Sequence, residues 1–280
     1  MPYPSHHYPS RRQKKQRGFS LVELILVIVI MAIITVGSTQ FIVNSVKGLN
    51  DVTRRDSLAN NLRISIAKIE NQLQASLSNS VRVNREANTQ CVEMLPIKAS
   101  AFYLAGSLAN NAFNTIALKS NVLGLKAVLG APDAAILYSA NNSVTNKVDS
   151  KGAVLGAITK QVPVNNSQFN QLSLLSTAPL KAFFVKPTKA PLAYFVGQAI
   201  SYCIVAGDLY RYSGYSVSLK QPMPKTLPLR EPNRVLLNRD LGAPSNFSFV
   251  PDQGLFTLVL STANSAEQLT INQSFWLSNE

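Results

Sequence analysis

Few residues in this chain have the chemistry of a catalytic or metal-binding site. The only histidines are His6 and His7, so the rest of the chain lacks the commonest general base and metal ligand. Two cysteines, Cys91 and Cys203, are too few for a structural zinc site but enough for one disulfide. The sequence also contains no phosphate-binding glycine loop and no nucleophile elbow. We therefore predict that the chain is not an enzyme and that it binds no cofactor.

Acidic side chains are the remaining candidates for catalysis or for cation binding. Five aspartates lie in or near turn-like segments beyond residue 130: Asp133, Asp149, Asp208, Asp240 and Asp252. If they converged in space, they could form a carboxylate pair or supply oxygen ligands for calcium. Aspartate is also common in turns, where its side chain bonds to nearby backbone. We favour the turn-forming role and predict no metal site.

The acidic residue with the most unusual surroundings is Glu23. It is followed by an apolar run, Leu24 to Val46, that contains no charged residue. As a helix these residues would rise about 35 Å, enough to cross a hydrocarbon core of about 30 Å. A carboxylate within such a helix costs roughly 2.5 to 3.5 kcal/mol at the bilayer centre and less near its end, so it suggests a function.

Basic residues precede the apolar run and none lies within it. The first 18 residues contain five cations and no acid: Arg11, Arg12, Lys14, Lys15 and Arg17. This asymmetry predicts a single membrane span with a cytoplasmic N-terminus and the rest of the chain outside. It also accounts for much of the formal charge of +13, so that charge does not by itself indicate a nucleic-acid surface.

The segment Gly18-Phe19-Ser20-Leu21-Val22-Glu23, preceded by Lys and Arg and followed by apolar residues, resembles the processing signal of type IV prepilins and type II secretion pseudopilins. The resemblance implies cleavage between Gly18 and Phe19 by a prepilin peptidase, followed by N-methylation of Phe19. It also implies that Glu23 pairs with the N-terminal amine of a neighbouring subunit during assembly. The alternative for Glu23 is a carboxylate that reaches the lipid headgroups beside Arg17.

The same resemblance implies a location and a set of partners. The chain would be held in the bacterial inner membrane with its head in the periplasm, and would then enter a pilus or pseudopilus. Its partners would be the prepilin peptidase, other major and minor pilins, an inner-membrane assembly platform and membrane lipid. Gln40 stands where major pilins often carry a proline, which favours a minor subunit.

The distribution of proline separates a helical part from a head. No proline occurs from Ser10 to Leu95, whereas twelve occur from Pro96 onward. An apolar stripe with helical spacing follows the membrane segment: Leu58, Leu62, Ile66, Ile69, Leu73 and Leu77. We predict a leader over 1–18, a membrane and assembly helix over 19–46, an amphipathic helix over 47–80 and a β-rich head over 81–280. The expected fold is α+β and type IV pilin-like, with the long helix packed on a mainly antiparallel sheet.

We expect a disulfide to cross-link two segments of the head. Short strand-like runs follow Val81, with hairpins predicted at Ala206-Gly207-Asp208 and at Pro251 to Gly254, while residues 105–178 are interpreted as a partly irregular elaboration. Cys91 and Cys203 both fall in predicted strands of an extracytoplasmic domain, where disulfides persist. We favour a bridge between them, the alternative being two separate buried thiols.

Scattered head segments resemble biogenesis proteins of the mannose-sensitive haemagglutinin (MSHA) pilus and, in layout, PilW-type minor pilins and J-type pseudopilins. They are Asn79 to Val83, Cys91 to Ile97, Tyr202-Cys203 and Leu209 to Tyr212. A nucleic-acid interface is the competing hypothesis, since cations are interleaved with tyrosines over residues 202–239. That stretch also contains four prolines, which predicts an exposed loop. We consider nucleic acid an unlikely partner.

Overall fold

The structure, a computed structural model, describes residues 20–104, 107, 112–129, 153–164, 169–174, 192–215, 218, 220–262 and 268–277. The chain divides into two compact units, the first ending at Asp56 and the second beginning at Ser57. Gly18, Phe19, Asp133 and Asp149 lie outside the described residues, as do the strands predicted at 134–138 and 182–185.

One long helix, α1 (Leu21–Gln74), begins the described part of the chain. In the first unit its side chains are exposed throughout, whereas in the second unit Leu62, Ile66, Ile69 and Leu73 are buried. The prediction extended this helix to Ser80, but it ends at Gln74. The chain leaves the helix because the next residues form backbone bonds elsewhere: Leu77 N–H donates to Leu95 O (2.9 Å), and Ile97 N–H donates to Ala75 O (2.9 Å).

Fourteen strands follow among the described residues. They are β1 (Arg82–Glu86), β2 (Thr89–Met94), β3 (Ile97–Phe102), β4 (Ala112–Ile116), β5 (Lys126–Leu129), β6 (Ala153–Val164), β7 (Phe169–Leu174), β8 (Leu192–Val196), β9 (Ala199–Val205), β10 (Asp208–Tyr215), β11 (Arg234–Asn238), β12 (Asn246–Val250), β13 (Leu255–Ser261) and β14 (Thr270–Trp276). They form three antiparallel sheets, ordered β1-β2-β9-β10-β11, β12-β13-β14 and β3-β8-β5-β6-β7-β4. The predicted α+β class, a long apolar helix with antiparallel sheets, is confirmed.

The main core lies between the second half of α1, the five-stranded sheet and the three-stranded sheet. The helix contributes Leu62, Ile66, Ile69 and Leu73, as the stripe predicted. The sheets contribute the remaining buried residues of this cluster, among them Val92, Met94, Ile200, Tyr202, Leu209, Phe247, Phe256, Leu258 and Phe275. Burying one such side chain contributes about 1.5 to 3 kcal/mol, so this half of α1 is held by tertiary packing.

Residues interpreted as a partly irregular elaboration contain four ordered strands, β4 to β7. Together with β3 and β8 they form the six-stranded sheet, which closes on itself through an antiparallel bridge between Tyr103 and Thr115. This sheet has its own core, which includes Phe113, Leu172 and Phe195. The signal of β4 and β7 was missed because these two strands are rich in Asn, Gln, Ser and Thr, and only alternate positions in them are buried.

In chain order, the strands of the six-stranded sheet lie between β2 and β9. These two strands pair directly with each other in the five-stranded sheet. The chain enters it at Pro96 and returns at Gly197, and Gly197 N–H donates to Pro96 O (2.9 Å). A small apolar cluster, which includes Leu77, Leu95 and Tyr194, packs at this crossing. The two chain segments that connect the sheets therefore lie side by side, joined by a backbone hydrogen bond and by their own apolar packing.

Both predicted hairpins are present. Ala206 and Gly207 have positive φ angles of 50° and 88°, which suits a tight two-residue turn between β9 and β10. A short 3-10 turn, Pro251–Gln253, joins β12 to β13 and ends at Gly254 with φ 61°. Positive φ matches the twist that a tight antiparallel connection needs.

Candidate functional site

Glu23 lies in the first turn of α1, where the helix start is defined by Ser20. The Ser20 hydroxyl accepts a hydrogen bond from Val22 N–H (3.3 Å), and its carbonyl accepts the first helical bond from Leu24 N–H (3.1 Å). Ser20 is thus the N-cap and Glu23 the third helical residue, the spacing of a capping box. The sequence analysis did not assign Ser20, although Ser-x-x-Glu before an apolar run is the signal for it.

The position of Glu23 suits a negative charge. The N-terminus of a helix carries partial positive charge, so a carboxylate in its first turn is stabilised. In the described part of the chain, no cation lies within ion-pair distance of Glu23. Its side chain is exposed and available to a partner that supplies one.

The apolar half of α1 has no partner in the described structure. Its largest side chains are extensively exposed, with Leu21 and Phe41 each 73% accessible. By length and composition this helix can cross a membrane. Two of its hydroxyls are satisfied within the helix, Thr35 Oγ1 by Met31 O and Thr39 Oγ1 by Thr35 O (2.7 Å each). They therefore add little to the cost of placing this segment in lipid.

Cys91 and Cys203 are joined by a disulfide across neighbouring strands. They occupy directly opposed positions in β2 and β9, their Cα atoms are 4.1 Å apart, and both are fully buried. The bond closes a 112-residue separation that contains the whole six-stranded sheet. It therefore cross-links β2 and β9, the strands that precede and follow the six-stranded sheet in the chain.

The predicted exposed loop is packed against this disulfide. Met223 and Leu227 form a buried cluster with the two cysteines and Tyr212, and Gln221 Nε2 donates to Cys91 O (3.0 Å). The prediction was wrong for the first part of the loop, where Gln221, Met223 and Leu227 are buried, and it holds for residues 229–232, which are exposed. Prolines also occur in loops that apolar side chains hold against the protein.

A buried ion pair lies on the same face of the five-stranded sheet. Arg82 and Glu93 side chains are 2% and 0% exposed, and Arg82 Nε donates to Glu93 Oε1 (2.8 Å). Arg82 Nη2 also donates to Ser218 O (3.0 Å), and Tyr215 Oη donates to Glu93 Oε2 (3.2 Å). Burial raises the pKa of Glu93, while Arg82 acts in the opposite direction. These groups satisfy one another inside the protein, which is the arrangement of a structural network.

The tyrosines proposed for nucleic-acid stacking make packing contacts within the head. Tyr202 faces α1 and is 2% exposed, and Tyr212 is 1% exposed in the cluster around the disulfide. The Arg234 guanidinium lies 4.0 Å from the centre of the Tyr210 ring. Stacking of bases requires accessible ring faces, so this arrangement does not favour a single-strand interface.

Of the five candidate aspartates, the three that the structure describes lie in turns or at strand ends. Asp208 begins β10 and accepts a hydrogen bond from Tyr210 Oη (3.0 Å), and Asp252 lies in the 3-10 turn before Gly254. Asp240 follows β11 with φ 55°. Over the described ranges, no group of three or more His, Cys, Asp or Glu side chains could hold a metal ion.

Comparison with known families addresses the N-terminus. Residues 13–39 match the prokaryotic N-terminal methylation motif. These residues therefore carry a type IV prepilin-like signal, which supports a type IV pilin-like protein. The matched residues include Gly18, Phe19, Ser20 and Glu23, so the motif implies processing by a prepilin peptidase and assembly with pilins. Neither the curated proteins nor the solved structures contain a significant match to this chain.

Proposed function

We propose that the chain is a minor pilin-like structural subunit, without enzymatic activity, that takes part in the assembly of a type IV pilus of the MSHA type. The observation that carries this proposal is the division of α1. A methylation motif leads into an apolar half that packs on nothing in the described chain, and the following half forms part of the head core. A helix that is apolar all round needs lipid or neighbouring helices to cover it. Lipid would cover it while the subunit is in the inner membrane, and neighbouring helices would cover it in the filament.

Within this proposal, the finer assignment is to an MshO-like protein, a biogenesis subunit of the MSHA pilus, and it rests on the head segments that carry the resemblance. The segments of this resemblance fall mainly in β1, β2, β9 and β10, with the turn before β1 and the connection from β2 to β3, around the disulfide. These strands form one sheet, so the resemblance follows a structural unit. The large inserted sheet makes this head unlike a minimal shaft subunit, in keeping with a low-abundance role.

Deletion of the gene in the bacterium that encodes it tests the pilus assignment. We expect loss or shortening of surface pili while type II secretion continues, with restoration by the wild-type gene. Normal piliation together with a secretion defect would instead identify a J-type pseudopilin. Mass and N-terminal sequence of the membrane-purified protein test processing, with N-methyl-Phe19 as the expected first residue.

Glu23 variants separate its charge from its capping position. Glutamine can still cap at this position but cannot form an ion pair, so Glu23→Gln keeps the helix start and removes the charge. We expect both Glu23→Gln and Glu23→Ala to be processed and membrane-bound but to fail in filament incorporation. Asp56→Ala is the matched control, because it removes an exposed acid from the same helix. Incorporation of Glu23→Gln into filaments at the wild-type level would show that assembly does not need the proposed ion pair.

A further inference from the structure

The sulfur atoms of the disulfide lie on the face of the five-stranded sheet that points away from α1. Successive side chains of a strand point to opposite faces of its sheet. Val92 and Tyr202, which neighbour the two cysteines in β2 and β9, belong to the core that α1 shares. Cys91 and Cys203 therefore point the other way, and they belong to a separate buried cluster. The cover on this second face decides whether the bond can be reached from solvent.

One segment of the chain, residues 220–228, covers the bond on this face, and we call it the strap. It lies in the connection from β10 to β11, and its residues belong to none of the fourteen strands. Gln221 Nε2 donates to Cys91 O (3.0 Å), and Met223 and Leu227 are buried against the disulfide. In the described structure, the other members of this cluster all come from the sheet itself. The strap therefore separates the sulfur atoms from solvent.

The strap is held to the sheet through side chains, without a strand ladder of its own. Its exposed end adds a long ion pair, with Lys220 Nζ 3.9 Å from Glu86 Oε1, and exposed pairs of this kind are weak. Thr226 N–H and its hydroxyl both donate to Met223 O (2.8 and 3.0 Å), so these bonds stay within the strap. Segments held by few buried contacts open more readily than a whole domain unfolds. The strap can thus leave the sheet while β2 and β9 stay paired.

The docked strap closes the route by which the disulfide would react. Both cysteines are 0% exposed. A disulfide forms and breaks when a thiolate attacks a sulfur atom, through a mixed disulfide with the reagent. Neither an oxidising protein nor a small thiol can reach these sulfur atoms while Met223 and Leu227 lie over them. Two separate thiols also need more room than two bonded sulfur atoms, and protein interiors are closely packed, so the docked strap fits the oxidised pair.

We propose that Cys91 and Cys203 are oxidised before the strap docks, and that the docked strap then protects the bond from thiols. A disulfide on an oxidising protein, or oxidised glutathione, first forms a mixed disulfide with one cysteine and releases one thiol. The thiolate of the other cysteine attacks the cysteine sulfur of that mixed disulfide, which forms the bond and releases the second thiol. Two electrons and two protons pass from the cysteines to the oxidant. Later reduction has to wait until the strap opens.

Reduction of the full-length protein in detergent tests the protection. Dithiothreitol is added under native conditions, and the free thiols are alkylated and counted by mass spectrometry. We expect Met223→Ser combined with Leu227→Ser to be reduced at least tenfold faster than wild type, because both apolar contacts are lost. Leu229→Ser is the matched control: Leu229 lies in the same connection but is 63% exposed, so the wild-type rate is expected. Emission from Trp276, the sole tryptophan, checks that the head remains folded.

The wild-type protein supplies a second measurement that does not depend on any variant. The response of an opening reaction to urea scales with the surface that it exposes. Opening of the strap exposes little surface, whereas global unfolding exposes most of the head. We expect the logarithm of the reduction rate below the unfolding transition to rise with urea at less than half the slope of global unfolding.

Oxidation of the reduced protein tests the order of the two events. Wild type and the double variant are refolded in reductant, transferred to oxidised glutathione and followed by the same alkylation assay. If the strap docks only on the finished bond, it does not obstruct the thiols, and the two proteins should be oxidised at rates within about threefold. Their reduction rates should still differ at least tenfold.

Four results would overturn the proposal. Equal reduction of wild type and the double variant would show that the strap does not protect the bond, and acceleration by Leu229→Ser as large as that of the double variant would show that the contacts with the disulfide are not responsible. A urea slope equal to that of global unfolding would exclude local opening of the strap. Oxidation of wild type tenfold slower than of the double variant would show that the strap docks before the bond forms.

Discussion

Breaking the buried pair of Arg82 and Glu93 should destabilise the head strongly. Removing one member leaves the other charge buried without a counter-ion, which costs about 3 to 5 kcal/mol. Both side chains are almost fully buried here, so water cannot replace the lost partner. We expect Glu93→Gln to lose about this much, because Arg82 stays charged. Replacing both, as in Arg82→Met with Glu93→Leu, should cost much less than the sum of the single changes, because no charge is then left buried.

The two single variants should differ in their response to pH. Arginine cannot lose its proton, whereas a buried glutamate can become neutral. Burial already raises the pKa of Glu93, and removing Arg82 raises it further. A carboxyl whose folded pKa lies above its unfolded pKa stabilises below the unfolded value, and that contribution is lost as pH rises through the folded value. Arg82→Met should therefore regain stability as pH falls from about 8 to about 5, relative to wild type, while Glu93→Gln should not.

Urea unfolding of the full-length protein in detergent, followed by near-ultraviolet circular dichroism of the head tyrosines, measures these differences. A double-mutant cycle at both pH values gives the coupling free energy. The control is Arg54→Met, which removes one member of the exposed Asp51 pair and should change stability by less than about 1 kcal/mol. Single variants that each cost less than about 1 kcal/mol, or whose effects simply add, would refute the reasoning.

Three further changes test other parts of the head. Replacing both Cys91 and Cys203 by serine should lower stability by up to about 4 to 5 kcal/mol, since the bridge constrains a long loop; equal thermal midpoints with and without reductant in wild type would contradict this. Gln90→Ala should cost about 1 to 3 kcal/mol by leaving the Phe247 backbone groups unpaired, and hydrogen exchange at Phe247 should rise while exchange in β10 does not. Gly254→Ala should cost about 1 to 3 kcal/mol, because φ is +61° and a Cβ would lie 2.8 Å from Leu277 O; an unchanged urea midpoint would show that the turn can relax.

Features set by local pattern could be predicted from the sequence. The buried positions of α1, from Leu62 to Leu73, follow from their helical spacing. The β9-β10 and β12-β13 hairpins follow from turn residues between alternating apolar runs. The motif around Gly18 and Glu23 is likewise local, so a short match was enough to identify it.

What the sequence could not supply depends on contacts between distant residues. Strands β4 and β7 place polar residues between their buried positions, so only the closed sheet shows that Phe113 and Leu172 share a core. Helix α1 ends at Gln74 because residues 75–77 bond to residues 95–97, a pairing that no local propensity encodes. The proline-containing loop packs against the disulfide through Met223 and Leu227, while residues 229–232 stay exposed.

The sequence by itself determined the membrane-length apolar segment, the processing motif and the amphipathic half of the helix, because each depends on residues within a few turns of one another. Tertiary structure alone decided that Arg82 meets Glu93 and that the six-stranded sheet forms between two paired strands of another sheet. These features arise when segments far apart in the chain pair, and pairing depends on backbone hydrogen bonds and on shape, which no single segment carries.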